Sequence, residues 1–160
     1  MFLISKEFQM EQNIKRQLYD FCKNFADKRI SRIRKEMKDF KESLDDETKS
    51  SAGDKYETGR AMLQLELEKA GVQLAEAEKM SKVLDLVNIK TQTNFVSLGN
   101  LVKTTKANYF LAISAGEYKG DGISAYCISS ETPIGRLVFG KKVGEEFTFN
   151  ETKIKILEIR

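Results

Sequence analysis

The stretch TPIGRLVFGKKVGEEFTFNETKIKILEI, residues 132–159, combines the signals of a short helix with those of a two-stranded hairpin. Thr132 can cap a helix, Pro133 suits the first helical position, and Gly140 suits the end of the helix. Farther on, EFTFN and KIKILEI are rich in β-branched and aromatic residues, and they face each other across Asn150-Glu151. The stretch therefore predicts one short helix followed by a β-hairpin.

Three further runs of strand character precede this stretch, beginning at residue 95. They are FVSLGNLVKTT, NYFLAIS and ISAYCIS, and Gly, Asn and Asp residues separate them. Together with the hairpin, they predict a small antiparallel β-sheet with one short helix over residues 95–160. Residues 89–94 are expected to be a linker.

The first half of the chain has a helical period instead. Between residues 6 and 44 and again between about 54 and 87, apolar residues recur every three or four positions among charged ones. Two such helices with a short polar link predict an antiparallel coiled-coil hairpin over residues 1–88, with its tip at about 45–53. Gly71 is unfavourable inside a helix, although a small residue lets two helices approach closely. The predicted fold class is α+β.

Composition limits the possible functions. The chain has 160 residues, is 41% hydrophobic and 32% charged, and carries a formal net charge of +3, which does not by itself indicate nucleic-acid binding. It has no histidine, which excludes Ser-His and Cys-His nucleophile pairs and histidine metal sites. A metal ion would have to be a hard cation, such as Mg²⁺, bound by carboxylates.

The two cysteines, Cys22 and Cys127, lie far apart in segments of different character, and no CxxC motif occurs. We expect reduced thiols in a cytoplasmic protein, with Cys22 in the coiled-coil core and Cys127 as a buried strand residue without a redox role. No apolar run approaches the ~20 residues that a membrane span needs. The opening MFLISKEF has too short an apolar patch for a signal peptide.

The order of these elements resembles that of the Gre-type transcript cleavage factors of bacterial RNA polymerase. The most specific match is residues 132–159, which fit that family's pattern of Ser/Thr-Pro, Gly/Ala-Arg/Lys, Gly-Lys and a closing strand pair. VSLGNLVK at 96–103 and DKYETGRA at 54–61 match further parts of the pattern. The resemblance implies an FK506-binding-protein-like domain at residues 95–160, after the coiled-coil hairpin.

The same resemblance implies a transcription elongation regulator that binds RNA polymerase. The globular domain would dock at the rim of the polymerase's secondary channel, and the hairpin would enter the channel and stimulate hydrolysis of backtracked RNA. The chain would be a monomeric accessory factor rather than an enzyme, without a cofactor of its own and without a membrane partner. Nascent RNA would lie close by, and a Mg²⁺ ion would be shared with the polymerase active site.

The tip departs from the family's pattern. When Tyr56 is matched to the family's tyrosine, the two family acids fall on Lys49 and Ala52. The candidate acids here are earlier: Asp45, Asp46 and Glu47, which we name the tip acids, with Asp46 and Glu47 as candidate Mg²⁺ ligands.

A structural interpretation of this region stands beside the catalytic one. Asp54 and Glu57 have the spacing of a capping box at a helix start, and acids in a turn are commonly just solvated. Asp45–Glu47, at the end of the first helix, oppose its dipole and so have no structural reason for their place. Cleavage and channel binding without cleavage both remain open.

Two basic features are further candidates. The segment DKRISRIRKEMK, residues 27–38, forms a basic shaft that could contact nucleic acid or the channel wall, or could be a solvated face paired with Glu66 and Glu68. The resemblance also places polymerase docking around the short helix of the globular domain. The candidate residues are Arg29, Arg32, Arg34 and Lys35 in the shaft, and Thr132, Pro133, Arg136, Lys141 and Lys142 for docking.

Two rival functions belong to other classes. A prolyl isomerase of the FK506-binding-protein type would need a deep pocket lined by several of the domain's aromatic residues. A coiled-coil adaptor would dimerise through its helices. The domain offers eight aromatic residues for a pocket: Phe95, Tyr109, Phe110, Tyr118, Tyr126, Phe139, Phe147 and Phe149.

Overall fold

The computed structural model describes residues 2–49, 54–120 and 122–160, with side chains for residues 6–46, 57–120 and 122–160. Long helices come first and a six-stranded sheet with one short helix follows, which confirms the α+β class. The helices are α1 (Phe2–Lys49), α2 (Asp54–Leu86) and α3 (Pro133–Val138); the strands are β1 (Leu101–Thr104), β2 (Asn108–Leu111), β3 (Gly116–Gly120), β4 (Ile123–Ile128), β5 (Glu146–Phe149) and β6 (Thr152–Ile159).

The chain forms two compact units. One contains the chain up to Phe25 together with Lys82–Arg160, and the other is Ala26–Ser81. The units follow packing, whereas the predicted boundaries at residues 88 and 95 follow the change of secondary structure, and those boundaries stay a prediction. No helix within the described ranges is long and apolar enough to cross a membrane.

The unit Ala26–Ser81 is built from parts of α1 and α2 that pack through small and branched side chains. Its core is Ile33, Ala70 and Ala77, with Leu74 and Phe40 packed against it. The two alanines permit close packing at these positions because they add little side-chain volume. This core follows the apolar spacing of the sequence, as expected for amphipathic helices.

Gly71 does not take part in this close packing. A Cβ built at Gly71 would have no atom within 4 Å, so the glycine is not there to admit a neighbour. We expect Gly71→Ala to raise the free energy of unfolding by about 0.5–1 kcal/mol, because alanine loses less backbone entropy in a helix. Urea unfolding measures this, with Ala75→Gly on the exposed side of α2 as the reverse control. A less stable Gly71→Ala protein would contradict the argument.

The six strands have the order β3-β4-β2-β1-β6-β5. The pairs are antiparallel except β2 with β4, which is parallel. The parallel pair arises because β3 occupies the edge of the sheet and β4 returns between β3 and β2. Strand β3, with the sequence GEYKG, was not expected from the sequence because it has no apolar run, and an edge strand does not require one.

The predicted hairpin is confirmed in its turn as well as its strands. Strand β5 ends at Phe149 and β6 begins at Thr152, so the turn has two residues. Asn150 has φ 49° and Glu151 has φ 64°, the two left-handed residues that a type I′ turn requires.

The first strand is shorter than expected, because Val96 pairs elsewhere. Its N–H donates to the Lys141 carbonyl at 2.8 Å, and its carbonyl accepts from the Gly140 N–H at 2.8 Å. Phe95 forms a bridge with Lys142 in the same place. The segment before β1 is therefore bound to the segment after α3.

The two faces of the sheet have different cores. On the face that carries α3, the buried residues include Val102, Leu111 and Val138. By strand alternation, Phe110 and Cys127 point to the other face, where Tyr118 of β3 contacts α1. The sheet is thus covered on one face by α3 and on the other by the first part of α1.

Candidate partner-binding site

Helix α3 begins and ends as its sequence predicts. The Thr132 hydroxyl accepts from the Gly135 N–H at 3.1 Å and donates to the Ser129 carbonyl at 2.7 Å, and Pro133 takes the first position. At the other end, Gly140 has φ 81°, which glycine adopts without strain. The caps hold this short helix in a fixed orientation on the sheet.

The inward side of α3 is apolar and its outward side is mixed. Val138 is fully buried, whereas Pro133, Arg136 and Leu137 are exposed. Phe139, directly after the helix, exposes 46% of its surface. The outward side therefore presents apolar groups beside a cation.

The exposed surface continues onto the neighbouring segment. Phe95, which exposes 45% of its surface, is bridged to Lys142. We name the surface formed by Pro133, Arg136, Leu137, Phe139, Lys142 and Phe95 the α3 face. Single exposed apolar side chains are ordinary, but several around one short helix are typical of a contact surface.

The charges of the α3 face are positive. Lys141 Nζ lies 4.0 Å from Glu145 Oε2, and the Lys142 N–H donates to Glu145 Oε1 at 3.2 Å. Within the part of the chain that the structure describes, the side-chain charges of Arg136 and Lys142 have no ion-pair partner. The face suits a partner surface that combines apolar area with acidic groups.

The predicted docking residues thus lie together around α3, but the sequence missed part of the face. The sequence pattern places Phe95 and Phe139 among possible pocket aromatics, and the predicted docking residues do not include Leu137. Helical spacing from Pro133 could have indicated Leu137, which is four residues later and on the same side. Nothing in the local pattern distinguishes an exposed Phe139 from a buried one.

The tip acids lie in the unit Ala26–Ser81. Asp45 and Asp46 are exposed, and α1 continues past them to Lys49, so the predicted tip at 45–53 begins inside the helix. The side chains of Glu47 and Asp54 lie outside those that the structure describes. Among the described side chains, no three carboxylates or thiols are grouped as a metal site would need.

The basic shaft is partly neutralised. Arg29 lies 3.9 Å from Glu76, Arg34 lies 3.4 Å from Glu78, and Arg32 lies 4.0 Å from Glu36 on its own helix. Lys35 has no ion-pair partner in the described part of the unit. These exposed pairs contribute little to stability, but they reduce the charge available to a polyanion.

The predicted partners of the shaft, Glu66 and Glu68, were wrong. Glu66 pairs with Lys69 of its own helix at 3.6 Å. The register of the two antiparallel helices brings Glu76 and Glu78 opposite the arginines instead. The spacing of apolar residues predicts which side of each helix is buried. It does not predict how far one helix is shifted along the other.

A separate cleft of about 670 Å³ lies on the side of the sheet that carries α3. Three aromatic residues line it, Tyr109, Tyr126 and Phe149, and the first two rings are 6.2 Å apart. The other five aromatic candidates are elsewhere. Lys106 is the charged residue of the lining, so the cleft offers binding surface rather than an acid–base pair.

The Tyr126 hydroxyl is held from outside this cleft by Glu117. A hydrogen bond from Tyr126, with a second from Ser124, lowers the pKa of Glu117, and the same bond to Glu117 raises the pKa of Tyr126. Tyr126 therefore remains a neutral phenol at physiological pH. This interaction orients one wall of the cleft without creating a reactive group.

Comparison with known proteins gives a partial relationship. No protein-family model matches the chain. The chain is 37% identical over 95 residues to "Transcription elongation factor GreA" of Acetivibrio thermocellus, an alignment that covers 55% of this chain and 58% of that relative. The chain thus spans less than two thirds of the relative that it matches. It is therefore related in sequence, over part of its length, to the Gre-type transcription elongation factors.

Proposed function

We propose that this protein is a transcription elongation regulator that binds RNA polymerase. The observation that supports this proposal is the 37% sequence identity to GreA over 95 residues. In this proposal, the α3 face docks at the rim of the polymerase's secondary channel, and the helical hairpin enters the channel. The chain acts as an accessory factor in the cytoplasm and is not itself an enzyme.

The chemistry of the α3 face supports docking on a protein. Arg136 and Lys142 provide positive charge, and Leu137 and Phe139 provide apolar area that would be buried on contact. Aromatic residues and arginine are enriched at the centres of protein interfaces.

The tip acids are proposed to reach the polymerase active site and stimulate hydrolysis of backtracked RNA. Asp45 and Asp46 are exposed near the end of α1, where carboxylates are slightly unfavourable for the helix. Their position therefore has no stabilising role, which supports a functional one. The basic shaft would pass nascent RNA or the channel wall, and Lys35 has no ion-pair partner among the described residues.

Mg²⁺ enters this proposal as an ion shared with the polymerase. The described side chains include no group of three ligands of the kind that a closed Mg²⁺ site needs. Asp46 and Glu47 would add oxygen ligands to an ion that the polymerase already holds. A bound Mg²⁺ ion lowers the pKa of an attacking water.

A second candidate is a channel-binding regulator without cleavage activity. The observation that favours it is the tip: the positions that match the family's two acids are Lys49 and Ala52, which cannot bind Mg²⁺ as carboxylates do. The α3 face would dock in the same way in both cases.

The test is RNA cleavage in a stalled, backtracked complex of the cognate polymerase, with binding measured in parallel. For the cleavage function, we expect Asp45→Asn/Asp46→Asn/Glu47→Gln to reduce the cleavage rate about 10-fold or more, as loss of metal ligands commonly does, while binding is retained. Asp39→Asn, an exposed acid earlier on α1, is the matched control. Binding without cleavage by the unaltered chain would identify the second candidate.

Docking is tested by Arg136→Glu, with Lys90→Glu as a charge-matched control at another exposed site. We expect Arg136→Glu to weaken polymerase binding at least about 10-fold and Lys90→Glu to leave it unchanged. If the unaltered chain does not bind polymerase at all, both candidates are wrong.

A further inference from the structure

The two cysteines, which are far apart in the sequence, lie on elements that pack together. Helix α1 contacts β3 through Gln17, which accepts from the Tyr118 hydroxyl at 2.9 Å, and through Phe21, whose ring centre is 5.4 Å from that of Tyr118. Cys22 follows Phe21 directly and is fully buried. The first part of α1 is thus fixed on the sheet beside Tyr118.

The register of the sheet places Cys127 under the same part of α1. In the β3–β4 pair, Tyr118 lies opposite Ala125 and Gly116 lies opposite Cys127. Residues opposite each other in a pair share a face, so Cys127 is on the face that Tyr118 presents to α1. Its side chain is buried, with 2% exposure.

Both thiols are therefore buried in the interface between α1 and the sheet. Hydrogen bonding toward the Cys22 thiol, together with burial, raises the pKa of the Cys127 thiol. Both cysteines are free.

We propose that Cys22 and Cys127 form an oxidative modification site, at which a small two-electron oxidant produces an intramolecular disulfide that joins α1 to β4. The disulfide closes a loop that contains most of the chain. It holds the helix on the sheet and restricts the unfolded chain. This proposal differs from the expectation that Cys127 has no redox role.

The reaction balances with an azo compound such as diamide. One thiol loses its proton and its sulfur adds to a nitrogen of the N=N bond. The second sulfur attacks the first, the S–S bond forms, the S–N bond breaks, and the hydrazine leaves with both hydrogens. Two electrons pass from the thiols to the azo group. The raised pKa of Cys127 lowers its thiolate fraction and so slows the reaction. In a reducing compartment, cellular thiol reductants would keep the pair reduced.

The experiment treats the folded full chain with diamide near neutral pH, then blocks remaining thiols with N-ethylmaleimide in denaturant. We expect a mass loss of two hydrogen atoms, no maleimide addition, and linkage of the tryptic peptides Gln17–Lys23 and Gly120–Arg136. Dithiothreitol should reverse the linkage. The urea midpoint of the oxidised chain should lie above that of the reduced chain.

Cys22→Ala is the matched control, and it should retain one blocked thiol and show no shift of the midpoint with diamide. Two maleimides per chain after oxidation in the folded state, with linkage only in denaturant, would overturn the proposal. Disulfides between two copies, or a lower midpoint after linkage, would also overturn it. All of these readouts are independent of polymerase binding.

Discussion

Gly135→Ala is expected to destabilise the protein by about 3 kcal/mol, the upper part of the range for overpacking. A Cβ at Gly135 would lie 1.9 Å from the Ser129 carbonyl oxygen and 2.8 Å from Thr132 Oγ1. Ser129 cannot easily retreat, because its carbonyl accepts from both the N–H and the hydroxyl of Thr132. The turn before α3 would have to open, and the helix would lose its N-cap.

Urea unfolding measures this effect, and Gly140→Ala is the matched control at the other end of α3. Gly140 has φ 81° but nothing within 4 Å of a built Cβ, so alanine there adds backbone strain without a steric clash. We expect a cost of about 1 kcal/mol for Gly140→Ala. A cost of Gly135→Ala no larger than that of Gly140→Ala would contradict the predicted clash with Ser129.

The same local rules explain which parts of the fold could be predicted. The caps of α3 and the turn at Asn150-Glu151 depend on residues close in sequence, so their types indicate their structure. Strand β3 and the parallel β2–β4 pair depend on where the chain returns in the sheet. The residues of these strands do not indicate the position that each strand takes in the sheet.

In the candidate site, too, some features could be predicted from local sequence and others depend on tertiary packing. Pro133 and Arg136 could be assigned to one face because both lie on a short, well-marked helix. The exposure of Phe95 depends on its bridge to Lys142, which no spacing indicates. The meeting of Cys22 with Cys127 likewise requires the packing of α1 on β4, and the sequence alone placed them in unrelated segments.

Apolar periodicity also fails to predict that Lys15 is buried, because the pattern counts a lysine on α1 as a solvent-facing residue. Its side chain is 1% exposed, and Nζ donates to the carbonyls of Thr91 at 3.2 Å and Arg160 at 3.3 Å. It lies three residues before Leu18 and seven before Cys22, both fully buried. Burial lowers the pKa of Lys15 to about 8, against a smaller opposing effect of Glu11.

This pKa predicts how stability depends on pH. Between about pH 8 and pH 10.5, the unfolded chain retains a proton on Lys15 that the folded chain has released. The free energy of unfolding therefore rises with pH in this window, by as much as about 3 kcal/mol, and the gain is lost as pH falls through about 8. The physical reason is that the folded state no longer holds a desolvated ammonium group.

Lys15→Met should remove this rise, because methionine has a similar length and no charge. The measurement is urea unfolding of both proteins from neutral pH to about pH 10.5, with the difference between them plotted against pH. Lys90→Met, at an exposed position, is the control and should follow the unaltered protein. Tyrosines, including Tyr109 with its burial-raised pKa, contribute equally to all three curves and cancel in the difference. Parallel curves for Lys15→Met and the unaltered protein would mean that the Lys15 ammonium is stabilised by Thr91 and Arg160 as well as it is by water.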